Sequence, residues 1–267
     1  MHLDVLPGQE RPHAVPKEKI GKIRIFFLCH GAQGMDICDD TFVAIWMSKI
    51  AVLIICNNGC TVSEVIIGYY VIALLSGMLC KYIQMYGDGL AGAVIMGTGS
   101  QPGIVLQIGK LICRMIALFR GWEYRSAFVD NMAFGGYNKQ FEPARTPSDW
   151  LTKDEAIIDA CVKHPWSTFR FTVNGYYQMF RGIQYIQNPA HIQQIPKNLP
   201  LFFVAGGDDP VGNNGKSVTQ VCQQYKDAGI RDVQIKLYPG DRHEILNETD
   251  RDVVYADILT WLNGHLA

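Results

Sequence analysis

The chain is 267 residues long and carries 24 Lys and Arg against 25 Asp and Glu, eight cysteines and 18% charged residues. That length supports one large domain, or two small ones, around a sizeable apolar core. A formal net charge of −1 provides no global basic field for a phosphate backbone, so neither nucleic-acid binding nor a polybasic membrane attachment is expected.

Met1 to Lys19 is polar, contains three prolines and has no apolar run of the kind a secretory leader needs, so a cytoplasmic location is expected. Lys22 to Cys29 is a β-branched and aromatic run that reads as a strand ended by His30-Gly31, and Ile50 to Cys56 reads as a second, stopped at the turn formers Asn57-Asn58-Gly59. Val71 to Leu75 and Ala91 to Gly97 fit buried strands by length. Between Thr41 and Tyr86 only Lys49, Glu64 and Lys81 are charged. The longest uncharged run there, Val65 to Cys80, is 16 residues, short of the roughly 18–20 that a bilayer-spanning helix needs. Buried core is the expected reading, with no stable membrane span.

From Ile104 to Phe119 the period changes: Ile104, Ile108, Leu111, Met115 and Leu118 share one face, with Gln107, Lys110 and Arg114 opposite, as in an amphipathic helix. Residues 121–195 are rich in aromatics interleaved with short helical signals, among them the capping-box match Thr152-Lys153-Asp154-Glu155. After Pro200 the alternation resumes, with strands at Leu201 to Ala205 and Asp232 to Tyr238 and helices at Ser217 to Ala228 and Asp252 to Leu266. The expected class is α/β, a mostly parallel sheet with flanking helices. Residues 1–120 and 196–267 form the two parts of its core, and 121–195 are an inserted helical unit. The cysteines are scattered and lack paired spacing, so neither a disulfide framework nor a metal site is expected.

In an open α/β sheet, functional groups sit on loops just past the C-terminal ends of strands. Three loops qualify: His30-Gly31-Ala32, Gly206 to Gly212, and Pro239 to Glu244. An acid after one strand and a histidine after the next, in that order, is what a serine–acid–histidine triad requires on such a sheet. His243 would then carry the proton, Asp209 would hold the imidazole in one tautomer, and the turn at His30-Gly31 would aim the backbone N–H of Ala32 at a developing oxyanion. The competing readings are ordinary ones, a turn starter at Asp209 and a solvated loop histidine at 243.

From Tyr86 to His265, about two-thirds of the chain, the sequence resembles the serine aminopeptidase and monoacylglycerol-lipase-like lysophospholipase branch of the α/β-hydrolases. The matching strings are GTGSQPG (Gly97 to Gly103), FGGYNKQF (Phe134 to Phe141), RTPSDWLTKDE (Arg145 to Glu155), DDPVGNNGKSV (Asp208 to Val218) and LYPGDRHEILNE (Leu237 to Glu248). CHGAQG (Cys29 to Gly34) extends the resemblance to the oxyanion loop. The resemblance implies an α/β-hydrolase core with a helical cap over 121–195. It also implies Asp209 and His243 as triad acid and base, hydrolysis of carboxylic esters of lipid-like small molecules, and no metal or organic cofactor. The cap's aromatic density suggests an apolar acyl chain as ligand, although such rings can equally pack the cap's own interior.

The resemblance breaks at the nucleophile. A GHSMG-type elbow needs glycines close to the serine so that the strained strand-to-helix turn is not obstructed. Anchoring on Lys81-Tyr82-Ile83 instead puts Ile72-Ala73-Leu74-Leu75-Ser76 there, with Leu74 at the nucleophile position. A shift of two residues recovers Ser76, flanked by Leu74, Leu75, Gly77 and Met78. The stretch from about Gly34 to Gly77 reads as altered or deleted between two better-matched flanks. Two outcomes stay open: Ser76 serves as nucleophile, or the chain is a catalytically inactive relative that keeps Asp209 and His243.

Overall fold

The computed structural model describes residues 53–56, 72–163 and 169–265. The strand expected at Lys22 to Cys29 and the oxyanion loop His30-Gly31-Ala32 lie outside them, as does the greater part of Gly34 to Gly77. Four strands, β1 (Leu53–Cys56), β2 (Leu90–Met96), β3 (Leu201–Gly206) and β4 (Val233–Tyr238), form one sheet in the order β1-β2-β3-β4. β1 runs antiparallel to β2, and the other two pairings are parallel, with Ala93 opposite Leu201 and Leu201 opposite Val233. Every residue of β3 is buried, as are Gly92 to Met96 of β2. Their unbroken apolar runs suit central strands covered on both faces. β4 alternates between buried and exposed positions, as fits the edge of the described sheet.

Eight helices surround or extend the sheet among the described residues: α1 (Ile72–Tyr86), α2 (Gly103–Arg120), α3 (Ala127–Phe134), α4 (Glu155–Lys163), α5 (Val173–Ile186), α6 (Pro189–Ile192), α7 (Lys216–Asp227) and α8 (Arg251–His265). α1 corrects the strand expected at Val71 to Leu75. Ser76, Leu79, Cys80 and Ile83 are buried at helical spacing, while Lys81, Met85 and Tyr86 face outward. That 3.6-residue period is invisible in a five-residue window. The C-terminal half of α1 packs with β2, β3, α6 and α7 into one core that includes Ile83, Ile95, Phe203 and Tyr225. Gln84 reinforces it from within by donating a 2.9 Å hydrogen bond to the carbonyl of Ile186 in α5.

α2 is helical as its periodicity requires, but the face it buries is not its most apolar one. Leu106, Gly109 and Cys113 are buried against α5, whereas Ile104, Leu111 and Leu118 are 68%, 58% and 75% exposed. The approach is close at Gly109, where a Cβ would lie 2.8 Å from the Phe180 ring. Around that contact Tyr176, wholly buried, packs against Phe134 and Phe171 and donates its hydroxyl to Asp130. A separate cluster of Trp150, Leu151, Ile158 and Cys161 closes on Val211 in the loop after β3. The capping-box match also resolves differently. α4 begins at Glu155, and Asp154 accepts hydrogen bonds from the amides of Ala156 and Ile157, so Asp154 and not Thr152 satisfies its first N–H groups. Among the described residues, no helix is long and apolar enough to cross a membrane.

Candidate active site

The loops leaving β3 and β4 run side by side because glycine lets them. A Cβ on Gly206 would fall 2.1 Å from the carbonyl oxygen of Arg242 and 2.3 Å from that of Asp241. In its place the amide of Gly207 donates to Tyr238 (2.7 Å) and that of Asp208 to Asp241 (2.8 Å). These bonds extend the strand pairing beyond the sheet and set Asp209, on one loop, opposite His243 on the other. Asp209 is fixed by the amide of Val211 on its Oδ1 (2.9 Å), and its own carbonyl accepts from Asn214 (2.8 Å).

The Oδ2 of Asp209 and the Nδ1 of His243 lie 2.9 Å apart, and both side chains are buried. With the carboxylate accepting, Nδ1 carries the proton and Nε2 is left with a lone pair able to take another. Burial pulls the imidazole pKa down, but the charge and hydrogen bond of Asp209, helped by Glu244, outweigh it and hold the value above the ordinary one. The ring of Trp150 lies 5.2 Å from the imidazole, and Tyr137 lies 5.1 Å beyond it. Burial, with the negative charge of Asp209 added, pushes the Tyr137 hydroxyl up to about 12, so it stays protonated at neutral pH.

The histidine loop is laced to the segment before α4. The amide of His243 donates to the carbonyl of Trp150 (3.3 Å) and that of Glu244 to Leu151 (2.7 Å), while the Arg242 guanidinium donates to the carbonyls of Asp149 and Thr152. Beneath this seam the carboxylates of Asp241, Glu248 and Asp250 bring oxygens within 4.8 Å of one another, a grouping that could hold a cation. The ammonium of Lys153 already lies among them, 2.6 Å from Asp241 Oδ1 and 3.4 Å from Asp250 Oδ1. Beside the seam opens a cleft of about 430 Å³ lined by Gln140, Phe141, Lys153, Asp208, Asn214, Gly240 and Arg242, in which the Arg242 guanidinium lies 4.2 Å from the centre of the Phe141 ring.

Of the residues singled out from the sequence, the fold brings Asp209 and His243 into contact. Ser76 lies in the second turn of α1 and is 4% exposed, in regular helix rather than in a strand-to-helix turn. Trp150, Tyr137 and Glu248 were not singled out individually, although all three stand in the matching strings. A buried acid five residues after a candidate histidine is a signal that local spacing leaves undistinguished from a solvated surface charge.

The family profile described as "Serine aminopeptidase, S33" matches residues 76–250. A monoacylglycerol lipase of Mycolicibacterium smegmatis is 34% identical over 70 residues, 25% of this chain and 22% of the lipase. A monoglyceride lipase of Saccharomyces cerevisiae is 34% identical over 92 residues, 33% of this chain and 28% of the lipase. The aligned stretches thus span about a quarter of the length of either relative. Among solved structures, a thermostable carboxyl esterase from Bacillus coagulans in complex with glycerol superposes with a TM-score of 0.66 at 25% identity, covering 72% of this chain and 62% of the esterase. A lipase in an open form gives 0.62 at 20% identity, with the same coverage, and speaks for the fold alone. On the profile match over most of its length, the chain belongs to the serine aminopeptidase S33 family of α/β-hydrolases.

Proposed function

We propose that this protein acts on carboxylic esters of lipid-like small molecules through a serine-hydrolase mechanism, with His243 as base and Asp209 as the acid that orients it. The observation that carries the reading is the buried 2.9 Å contact between Asp209 Oδ2 and His243 Nδ1. In this reading Nε2 of His243 takes the proton of the attacking hydroxyl as its oxygen bonds to the ester carbonyl. The proton then passes to the departing alcohol, and water releases the acid in a second round of the same transfers. The triad nucleophile is Ser76, and the turn at His30-Gly31 supplies the oxyanion N–H from Ala32. No metal or organic cofactor takes part, and residues 121–195 form the cap.

Similarity to two glyceride lipases supports a lipid-like substrate. The aromatic density of residues 121–195 does not, since Phe134, Phe171, Tyr176 and Phe180 chiefly pack on one another and on α2. Faster turnover of long-chain than of short-chain p-nitrophenyl esters is the expected outcome, and equal turnover counts against an acyl groove.

A specific observation favours a second reading, an inactive relative that keeps the acid–base pair. Ser76 is buried within α1 and lacks the strained turn that exposes such a nucleophile. A fluorophosphonate probe separates the two. An adduct on Ser76 that is lost in Asp209→Asn and His243→Ala supports hydrolysis, and no adduct on folded protein establishes the second reading.

A further inference from the structure

The side chain of Glu248 is fully buried, yet it is a carboxylate. Its Oε1 accepts a 2.6 Å hydrogen bond from the amide of Arg242, the residue preceding His243. Its Oε2 accepts from the amide of Lys153 (2.9 Å), and the single proton of the Thr152 hydroxyl is shared between Oε2 (3.1 Å) and the carbonyl of Asn247 (2.9 Å). One buried acid thus receives backbone N–H groups from two residues about 90 apart in sequence, Lys153 and Arg242. They stand in the segments whose amides and carbonyls meet at Trp150–His243 and Leu151–Glu244. Burying an ionised carboxylate is costly unless donors satisfy both oxygens. Here one backbone amide satisfies each oxygen, with the Thr152 hydroxyl shared and the Lys153 ammonium 4.0 Å away.

We propose that Glu248 is a positioning residue for His243. By clamping the Arg242 amide to the Thr152–Lys153 backbone, it fixes the loop that presents the imidazole to Asp209. The inference rests on the reading of His243 as the base. It adds the device that sets where that base stands, and it ties the base to the segment leading into α4. A glutamine cannot replace the acid, because its NH2 group would face either the Arg242 amide or the Lys153 amide, and donor would meet donor.

The test reads the imidazole itself, by the proton magnetic resonance of His243 Nδ1–H, so it needs no turnover. In the native protein this resonance is expected and should vanish in Asp209→Asn. In Glu248→Gln the expected result is loss of the resonance from protein whose circular dichroism remains native, with a partial loss in the milder Thr152→Val. Ile83→Ala, in the core around α1, serves as a destabilised control and should retain it. An unchanged resonance in folded Glu248→Gln overturns the proposal, as does an equal loss in Ile83→Ala. Should Glu248→Gln fail to fold, Thr152→Val decides in the same way. Absence of the resonance from the native protein takes down the Asp209–His243 pair, and with it both readings, which distinguishes that failure from a failure of the clamp alone.

Discussion

Gly206 carries more of the site than its lack of a side chain suggests. The carbonyls of Asp241 and Arg242 occupy the space a methyl group would need, and both are backbone atoms. Gly206→Ala must therefore push the histidine loop away from Asp209, at a cost of roughly 1–3 kcal/mol or more by analogy with overpacked cores. Denaturant unfolding should register that cost, together with loss of the His243 Nδ1–H resonance. The imidazole also makes stability depend on pH. Its folded pKa lies above the unfolded value of about 6.5. Its contribution is therefore complete below about pH 6.5 and is lost as pH rises through the folded value. Urea midpoints measured from pH 5 to 9 should show this decline in the native protein, and Asp209→Asn should flatten it. Asp209 and His243 were legible because acid and base follow successive strands in order. Glu248 and Trp150 were not, because their partners lie far away in sequence and only the folded chain discloses them.

At the scale of elements, α2 was easy to find and hard to orient. Its period specifies a helix, but the stripe of Ile104, Ile108, Leu111, Met115 and Leu118 faces away from α5, and the narrower row of Leu106, Gly109 and Cys113 faces it. Small residues there admit Phe180, a form of complementarity that hydrophobicity alone does not reveal. Leu106→Ala should cost about 2–5 kcal/mol. Leu118→Ser, at a position 75% exposed, should change stability by no more than about 0.5 kcal/mol. Chemical denaturation of the two variants checks the assignment, and a reversed order would refute it. α1 shows the complementary limit: its first apolar residues suggested a strand because they were considered without the Leu79, Cys80 and Ile83 spacing that follows.

Across the whole molecule, the parallel β2-β3-β4 arrangement and α7 and α8 followed from alternating patterns, and each lies within a residue or two of its expected bounds. β1 could not have been oriented in advance, since an apolar run does not say which way it pairs. The core around Ile83 joins α1, β2, β3, α6 and α7, so Ile83→Ala is expected to lower the unfolding midpoint equally whether tryptophan fluorescence or far-ultraviolet circular dichroism is followed. Separate midpoints would show that α1 is not part of one cooperative body.

The seam between residues 149–153 and 241–244 has a consequence in time as well as in space. Its hydrogen bonds close loops of about 90 residues, such as Arg242 to Thr152, whereas β3, α7 and β4 are neighbours in sequence. Contacts so distant along the chain bear their loop-closure entropy before any stabilisation returns. During refolding the β3-α7-β4 unit, which holds both Asp209 and His243 only 34 residues apart, should therefore gather before Trp150 reaches His243, which makes the seam that fixes the histidine loop one of the last parts of the protein to be assembled.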